Sequence, residues 1–511
     1  MARALQTLSP LLWVVAILGA AQQVLSAPWK IWNGIRLAPS GALAEGLGLM
    51  PAGAGHPITG HLYGPVSPVY FLPAALLPTP TSAVLMASAL AFVAVTAPLA
   101  VMLRTEARGD RLAFWIPLGL FVLNGVGSPV VRQVTFAVHA DAPALGLGVL
   151  ACALVYRPAD RRKNLRLVLS AVATALAVMA KQPMLPLILV LPAYALMTEG
   201  VRRALICLAA NVAAMAALVA TFAVLPLGGL ALVIADPGAV VSAMSWREAT
   251  QARALVQSAR DLVPAIVPYW ALAGAFALAR TKGHLDREAL RSWVSANPWL
   301  LPAIVSLACV PTALLSRSVA GASTNGLGFA IYFAAVTCLL ILARVLSTSG
   351  DQPADVLMPG LRLGLLVLVA TSLVANASAL WELPGQFRQL SSNPQAQALR
   401  YAVDHPEAAY FPLHPLVGLK AEGRLYNVLL PATTRVALAD PLAAGDPVAV
   451  ERVLLRHMPS RVRWILYPND LHPRFQERSE ALRRDLWPHL GSEHRLPEMP
   501  GWAAFDYAGE R

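Results

Sequence analysis

Residues 138–166 read VHADAPALGLGVLACALVYRPADRRKNLR, and this stretch decides what kind of chain this is. After Asp141 no charge occurs until Arg157; then Arg157, Arg161, Arg162, Lys163 and Arg166 crowd together. An uncharged run closed by a knot of cations is how a bilayer-crossing helix ends on the side that retains Lys and Arg. The same alternation of apolar runs and short basic loops recurs along the chain. Of its 511 residues 57% are hydrophobic and 13% charged, where soluble domains carry about one quarter charged. Most of the chain therefore does not sit in water. The formal net charge of +12 does not indicate nucleic-acid binding, because the cations lie in the loops between apolar runs.

A helix crossing ~30 Å of hydrocarbon needs about 20 apolar residues, fewer where protein shields its ends. The hydropathy predicts eleven spans, near 8–26, 82–103, 113–130, 143–156, 167–180, 183–198, 205–232, 262–279, 298–315, 327–347 and 361–381. The two flanking Lys181-Gln182-Pro183 are joined by almost nothing and also fit one broken or re-entrant element. Leu25-Ser26-Ala27 resembles a cleavage site after the first run; an uncleaved span is the preferred reading, since many more follow. With the N-terminus inside, the inner loops hold about twice the Lys and Arg of the outer segments. Eleven crossings then leave the C-terminus outside, in a multi-pass protein of the inner cell membrane.

Two outer segments are longer than connectors. Residues 27–81 pair aromatic residues with prolines (Trp29, Trp32, Tyr63-Gly64-Pro65, Tyr70-Phe71) and predict short helices at the membrane interface. Residues 236–261 have helical composition from Trp246 to Arg260. From residue 382 the texture becomes polar. Asn393–Asp404 and Pro447–Met458 read as amphipathic helices; Ala409–Leu413, Leu425–Leu430, Val436–Ala439 and Val462–Tyr467 read as strands. The expected organisation is a helical membrane domain, 1–381, followed by an outer α/β domain, 382–511.

Ionisable groups at membrane depth are functional candidates, because burying them is costly. Asp141 admits two readings: a helix N-cap worth about 1 kcal/mol, with Pro143 in the first turn, or a carboxylate lining an outer cavity as base or metal ligand. Lys181 either snorkels to the interface or neutralises a phosphate docked at the membrane surface. Ser323-Thr324-Asn325-Gly326 is a polar turn between span ends. The four cysteines (Cys152, Cys207, Cys309, Cys338) sit in apolar runs as small buried hydrophobes. No Walker A loop, HExxH or nucleophile elbow is present. Asn376-Ala377-Ser378 matches a glycosylation sequon inside an apolar span, a chance match.

Four spots together resemble one family. They are Trp32-Asn33-Gly34-Ile35-Arg36 with Glu45 and Tyr63-Gly64-Pro65 in the first outer segment; His139-Ala140-Asp141-Ala142-Pro143; Ala180-Lys181-Gln182-Pro183; and Gly321 to Gly326, with Asn325. Over about residues 8–380 the chain resembles the GT-C class of integral-membrane glycosyltransferases, and within it bacterial relatives of the glycosyltransferase 39 and mannosyltransferase kind. The resemblance implies a GT-C-like fold and transfer of a sugar from a polyprenyl-phosphate donor to a glycan, lipid or protein acceptor. It implies Asp141 and Glu45 as catalytic carboxylates, and Lys181, Gln182, Arg36, His139, Tyr63 and Asn325 as substrate-binding residues. The family places an aspartate early in the first outer loop; here the stretch reads Asn33-Gly34, and no aspartate precedes Asp110.

The implied reaction is displacement at the anomeric carbon, with a carboxylate taking the acceptor proton and cations meeting the charge on the leaving phosphate. A divalent cation suits the chemistry but is thinly supplied with ligands. Asp141→Asn is expected to abolish activity and leave folding largely intact. The alternatives are an inactive relative that binds lipid-linked sugar or scaffolds envelope assembly, and a transporter of lipid-linked sugar.

Overall fold

A computed structural model describes residues 2–49, 57, 63–127, 129–156, 162–225, 252–280, 287–318, 324–347, 357–428, 458, 461–469 and 490–507. The helices in chain order are α1 (Ala2–Leu25), α2 (Ile31–Ala44), α3 (Val66–Ala75), α4 (Pro80–Glu106), α5 (Arg111–Gly127), α6 (Pro129–Phe136), α7 (Asp141–Tyr156), α8 (Lys163–Ala180), α9 (Leu187–Glu199) and α10 (Val201–Val224). They continue with α11 (Ala252–Arg280), α12 (Arg287–Ala296), α13 (Leu300–Ala308), α14 (Val310–Ser318), α15 (Gly328–Ser347), α16 (Leu357–Asn376), α17 (Ser378–Gln389), α18 (Pro394–Asp404) and α19 (Leu416–Glu422). Four short strands are β1 (Ala409–Tyr410), β2 (Trp464–Pro468), β3 (Leu490–His494) and β4 (Trp502–Tyr507).

By their contacts the residues fall into two units: Met1–Val24, Ala91–Thr221 and Trp246–Gly385 in the first; Leu25–Leu90, Phe222–Ser245 and Gln386–Arg511 in the second. In this division residues 25–90 group with residues 386–511.

In the first unit, six helices among the described residues of the chain are long and apolar enough to cross a membrane, or eight if each bent pair counts as one span. The bent pairs are α6 with α7, at 88°, and α12 with the helices that follow it, at 96°. Each of the eleven expected runs is helical over most of its described residues; α5 and α16 count as shorter apolar helices. The chain is a multi-pass α-helical membrane protein.

The centre of this unit is α15, whose Phe329, Tyr332 and Phe333 are fully buried. The Tyr332 hydroxyl donates to the Val95 carbonyl at 2.9 Å, so the ring reaches the core without orphaning its polar end. Small residues let backbones meet: a Cβ at Gly146 of α7 would stand 2.0 Å from the Ala94 carbonyl oxygen. Such close approach drives packing where lipid supplies no hydrophobic gain. Around the rim, Leu189, Leu205 and Val263 are exposed, as lipid-facing side chains are. The four cysteines are buried and free.

The second unit carries the sheet, in the order β1-β2-β4-β3. β1 pairs parallel with β2 (Ala409 opposite Trp464), and β2 and β3 pair antiparallel with β4. Tyr401, Phe411, Leu466 and Trp502 form its core with α18 and α19. α18 starts where expected: Asn393 accepts from the Gln395 and Ala396 amides at 3.0 and 3.1 Å, with Pro394 next in line. The described residues of segment 27–81 form helices, and they pack here: Gln395 Nε2 donates to the Pro28 carbonyl at 3.3 Å, and Lys420 Nζ to the Ala75 carbonyl at 2.6 Å.

Two strand expectations need correction. Residues 425–428 are buried but not in a strand; the Asn427 carbonyl accepts from the Tyr410 hydroxyl at 2.5 Å, so a side chain takes the bond a neighbouring strand would have made. β3 and β4 were not anticipated at all. The expected strand Val436–Ala439, the helix Pro447–Met458 except Met458, and residues 236–251 of the second outer segment lie outside the described residues.

Candidate functional site

Three chain breaks in the first unit bring the site together. α7 begins at Asp141 directly after the sharp turn from α6. α8 ends at Ala180, and Lys181 takes an extended conformation (φ −157°, ψ 127°) before a 3-10 turn over Gln182–Met184. A second 3-10 turn, Thr324–Leu327, presents Asn325 just before α15. The side chains that meet are buried: Asp141 is 0% exposed, His139 3%, Lys181 5% and Asn325 6%.

The Lys181 ammonium donates to Asp141 Oδ1. Asn325 Nδ2 donates to Asp141 Oδ2 at 2.9 Å, and His139 Nδ1 stands 2.5 Å from the same oxygen. At that distance Nδ1 carries the hydrogen, since a lone pair there would face the lone pairs of the carboxylate. The 3.3 Å contact from the Asp141 amide to Nδ1 is then secondary. One carboxylate and one ammonium cancel, and the imidazole and amide satisfy remaining lone pairs, which is what a charge pair requires to persist in a dry interior. Asp141 is therefore not a plain helix cap: it accepts from Lys181 and Asn325, distant in the chain, and from His139, two residues upstream. Lys181 does not snorkel; its ammonium lies under protein, 5.3 Å from the centre of the Phe329 ring.

Gln182, next to Lys181, keeps its Nε2 buried without a hydrogen-bond partner among the described residues. The structure thus brings His139, Asp141, Lys181 and Asn325 into contact, with Gln182 beside them. Arg36, Glu45 and Tyr63 belong to the second unit. There Arg36 lies over the Trp32 ring at 5.4 Å, Glu45 is exposed at the C-terminal end of α2, and Tyr63 is half-buried. Burial lowers the Lys420 pKa, and the charge of Glu45 opposes that shift. Asn33 is buried, with its Nδ2 donating to the Ala27 carbonyl at 3.0 Å.

Sequence reasoning missed Phe329 and Lys420. Phe329 lies four residues beyond Asn325, one helical turn, but no local signal separates it from the other aromatic residues of α15. Among the described residues no three His, Cys, Asp or Glu side chains come together to hold a metal ion.

Fold and site define a multi-pass helical membrane protein with a buried carboxylate–ammonium pair at converging helix ends. No protein-family model matches the sequence, and no curated protein matches it. Among solved structures the chain is similar to the archaeal oligosaccharyltransferase AglB from Archaeoglobus fulgidus in complex with an inhibitory peptide and a dolichol-phosphate (TM-score 0.43, 12% identity, 98% of this chain and 74% of that one). It is also similar to the Archaeoglobus fulgidus oligosaccharyltransferase tethered to an acceptor peptide (TM-score 0.39, 14% identity, 98% and 74%). A likeness at these values assigns no activity.

Proposed function

We propose that this chain is a GT-C-class membrane glycosyltransferase that moves a sugar from a polyprenyl-phosphate donor to an acceptor on the outer face of the membrane. The buried cluster of Asp141, Lys181, His139 and Asn325 carries the proposal, because it joins residues of three of the four motif spots into one group. A carboxylate offers about four lone-pair positions; three donors occupy Asp141, and the fourth accepts from a hydroxyl once the closed cluster opens to an acceptor. In the reaction the acceptor oxygen bonds to the anomeric carbon as the bond from that carbon to the phosphate oxygen breaks. The hydroxyl proton passes to Asp141, and the lipid phosphate departs with the electron pair. His139 and Asn325 hold the carboxylate in place, and Lys181 compensates its charge.

A second reading, a relative that binds lipid-linked sugar without transferring it, is favoured by Asn33. It stands where the resembled family has a catalytic aspartate, and its amide is committed to the Ala27 carbonyl. Purified protein with radiolabelled polyprenyl-phosphate hexose or pentose and an acceptor pool separates the two. Label transfer is expected, and Asp141→Asn should end it. Donor binding without transfer would favour the second reading, and unaltered donor carried across sealed vesicles would refute both.

A further inference from the structure

The end of α8 opposite the Asp141 cluster carries a second charged assembly. Eighteen residues of helix separate the two by about 27 Å. Here the start of α8, the end of α9, the start of α10 and α12 meet. Glu199 pairs with Lys163 and, at 3.5 Å, with Arg203. Arg203 also donates to Asn164 Oδ1 at 2.8 Å and to the Lys163 carbonyl at 3.0 Å. Arg291 of α12 donates to the Thr198 carbonyl at 2.9 Å, a cation on the C-terminal turn of α9, where the helix dipole favours it.

These bonds fix three of the cations, Lys163, Arg203 and Arg291. They leave Arg162 and Arg202 exposed, with no partner among the described residues. Among the described residues these helix ends carry five cations (Arg162, Lys163, Arg202, Arg203, Arg291), with Arg166 one turn further along α8, and two carboxylates, Glu199 and the exposed Glu288. The excess borders an apolar surface: Leu165, Val201, Leu205, Ile206 and Leu290 are all exposed. α12 turns 96° from the helices that follow it, so it lies along the membrane plane if they cross it. Apolar side chains below unpaired cations match the two layers of a bilayer leaflet, acyl chains and phosphate headgroups.

We infer that this face is a binding surface for anionic glycerophospholipid headgroups, with Arg162 and Arg202 as the phosphate-contacting cations. The Asp141 cluster then works at the opposite leaflet, at the far end of α8.

The test uses the full chain with phosphatidylglycerol or phosphatidylcholine, scoring retained lipid by native mass spectrometry. The wild type should retain the anionic lipid preferentially. Each basic residue near a membrane surface is worth ~1 kcal/mol, or about fivefold in binding. Arg162→Gln with Arg202→Gln should therefore weaken retention roughly 25-fold at low salt, and both side chains are exposed enough for the fold to survive. Arg132→Gln on α6, toward the other end of the bundle, should change nothing. Equal retention of both lipids by the wild type, or an undiminished preference in the double variant, would overturn the inference. So would displacement of phosphatidylglycerol by a polyprenyl phosphate at much lower concentration, which would make the donor lipid the occupant.

Discussion

Removing either charge of the Asp141–Lys181 pair should destabilise the protein, and removing both should restore it without restoring activity. Both side chains are almost completely buried. Lys181→Met leaves the carboxylate with the Asn325 and His139 donors but no countercharge; Asp141→Asn leaves an ammonium with none. Breaking one partner of a buried pair costs about 3–5 kcal/mol, whereas replacing both with neutral groups of similar size is often neutral. Independent losses would add to about 6–10 kcal/mol. The pair predicts instead that Asp141→Asn/Lys181→Met lies within ~2 kcal/mol of wild type, a coupling well above the ~0.5 kcal/mol of unrelated sites. Unfolding in mixed micelles supplies the four stabilities, and transfer of labelled sugar supplies the activities. A double variant no more stable than its worse parent would refute the compensation. A stable double variant that still transfers sugar would remove Asp141 from the chemistry. This differs from the expectation that sequence alone supports, Asp141→Asn with folding largely intact, because the sequence places Lys181 either at the interface or at a phosphate and not beside this carboxylate.

Gly146→Ala should lower thermal stability in detergent by about 1–3 kcal/mol or more, since the added methyl meets the Ala94 backbone, which has nowhere to retreat; an unchanged melting profile would show that α4 and α7 are not in close contact. Asn393→Ala should cost the second unit about 1 kcal/mol through the lost cap of α18, read as faster amide exchange over residues 395–398, with Asn393→Asp retaining most of the protection. His414 is buried against Trp502, with neither ring nitrogen hydrogen-bonded, and burial holds its pKa down to about 3 against 6.5 unfolded. The unfolded chain therefore binds the proton first: stability is full above pH 6.5 and falls by up to about 1.4 kcal/mol per pH unit toward pH 3. Exchange protection over 401–417 should track that fall, and His414→Leu should flatten it.

Hydropathy and the placement of Lys and Arg determined the helical membrane character of this chain, because the cost of moving a segment into lipid is a sum over its own residues. Local chemistry likewise marked the start of α18, where Asn393-Pro394 supplies both the cap and the first-turn proline, and the first turn of α7 at Asp141. Two strands escaped that reading. β4, Trp502–Tyr507, opens with the apolar run Trp502–Phe505 before Asp506 and Tyr507 and shows no alternation, and β3, Leu490–His494, is mostly polar; each becomes a strand because a partner completes its hydrogen bonds. The site was legible as separate motifs but not as a group. Asp141 meets Lys181 across 40 positions and Asn325 across 184, and which helix ends converge is decided by packing such as that of Gly146 against Ala94. Tertiary structure alone turned a candidate cap and a candidate phosphate-binding cation into one ion pair, because an isolated charge in that interior would be too costly to keep.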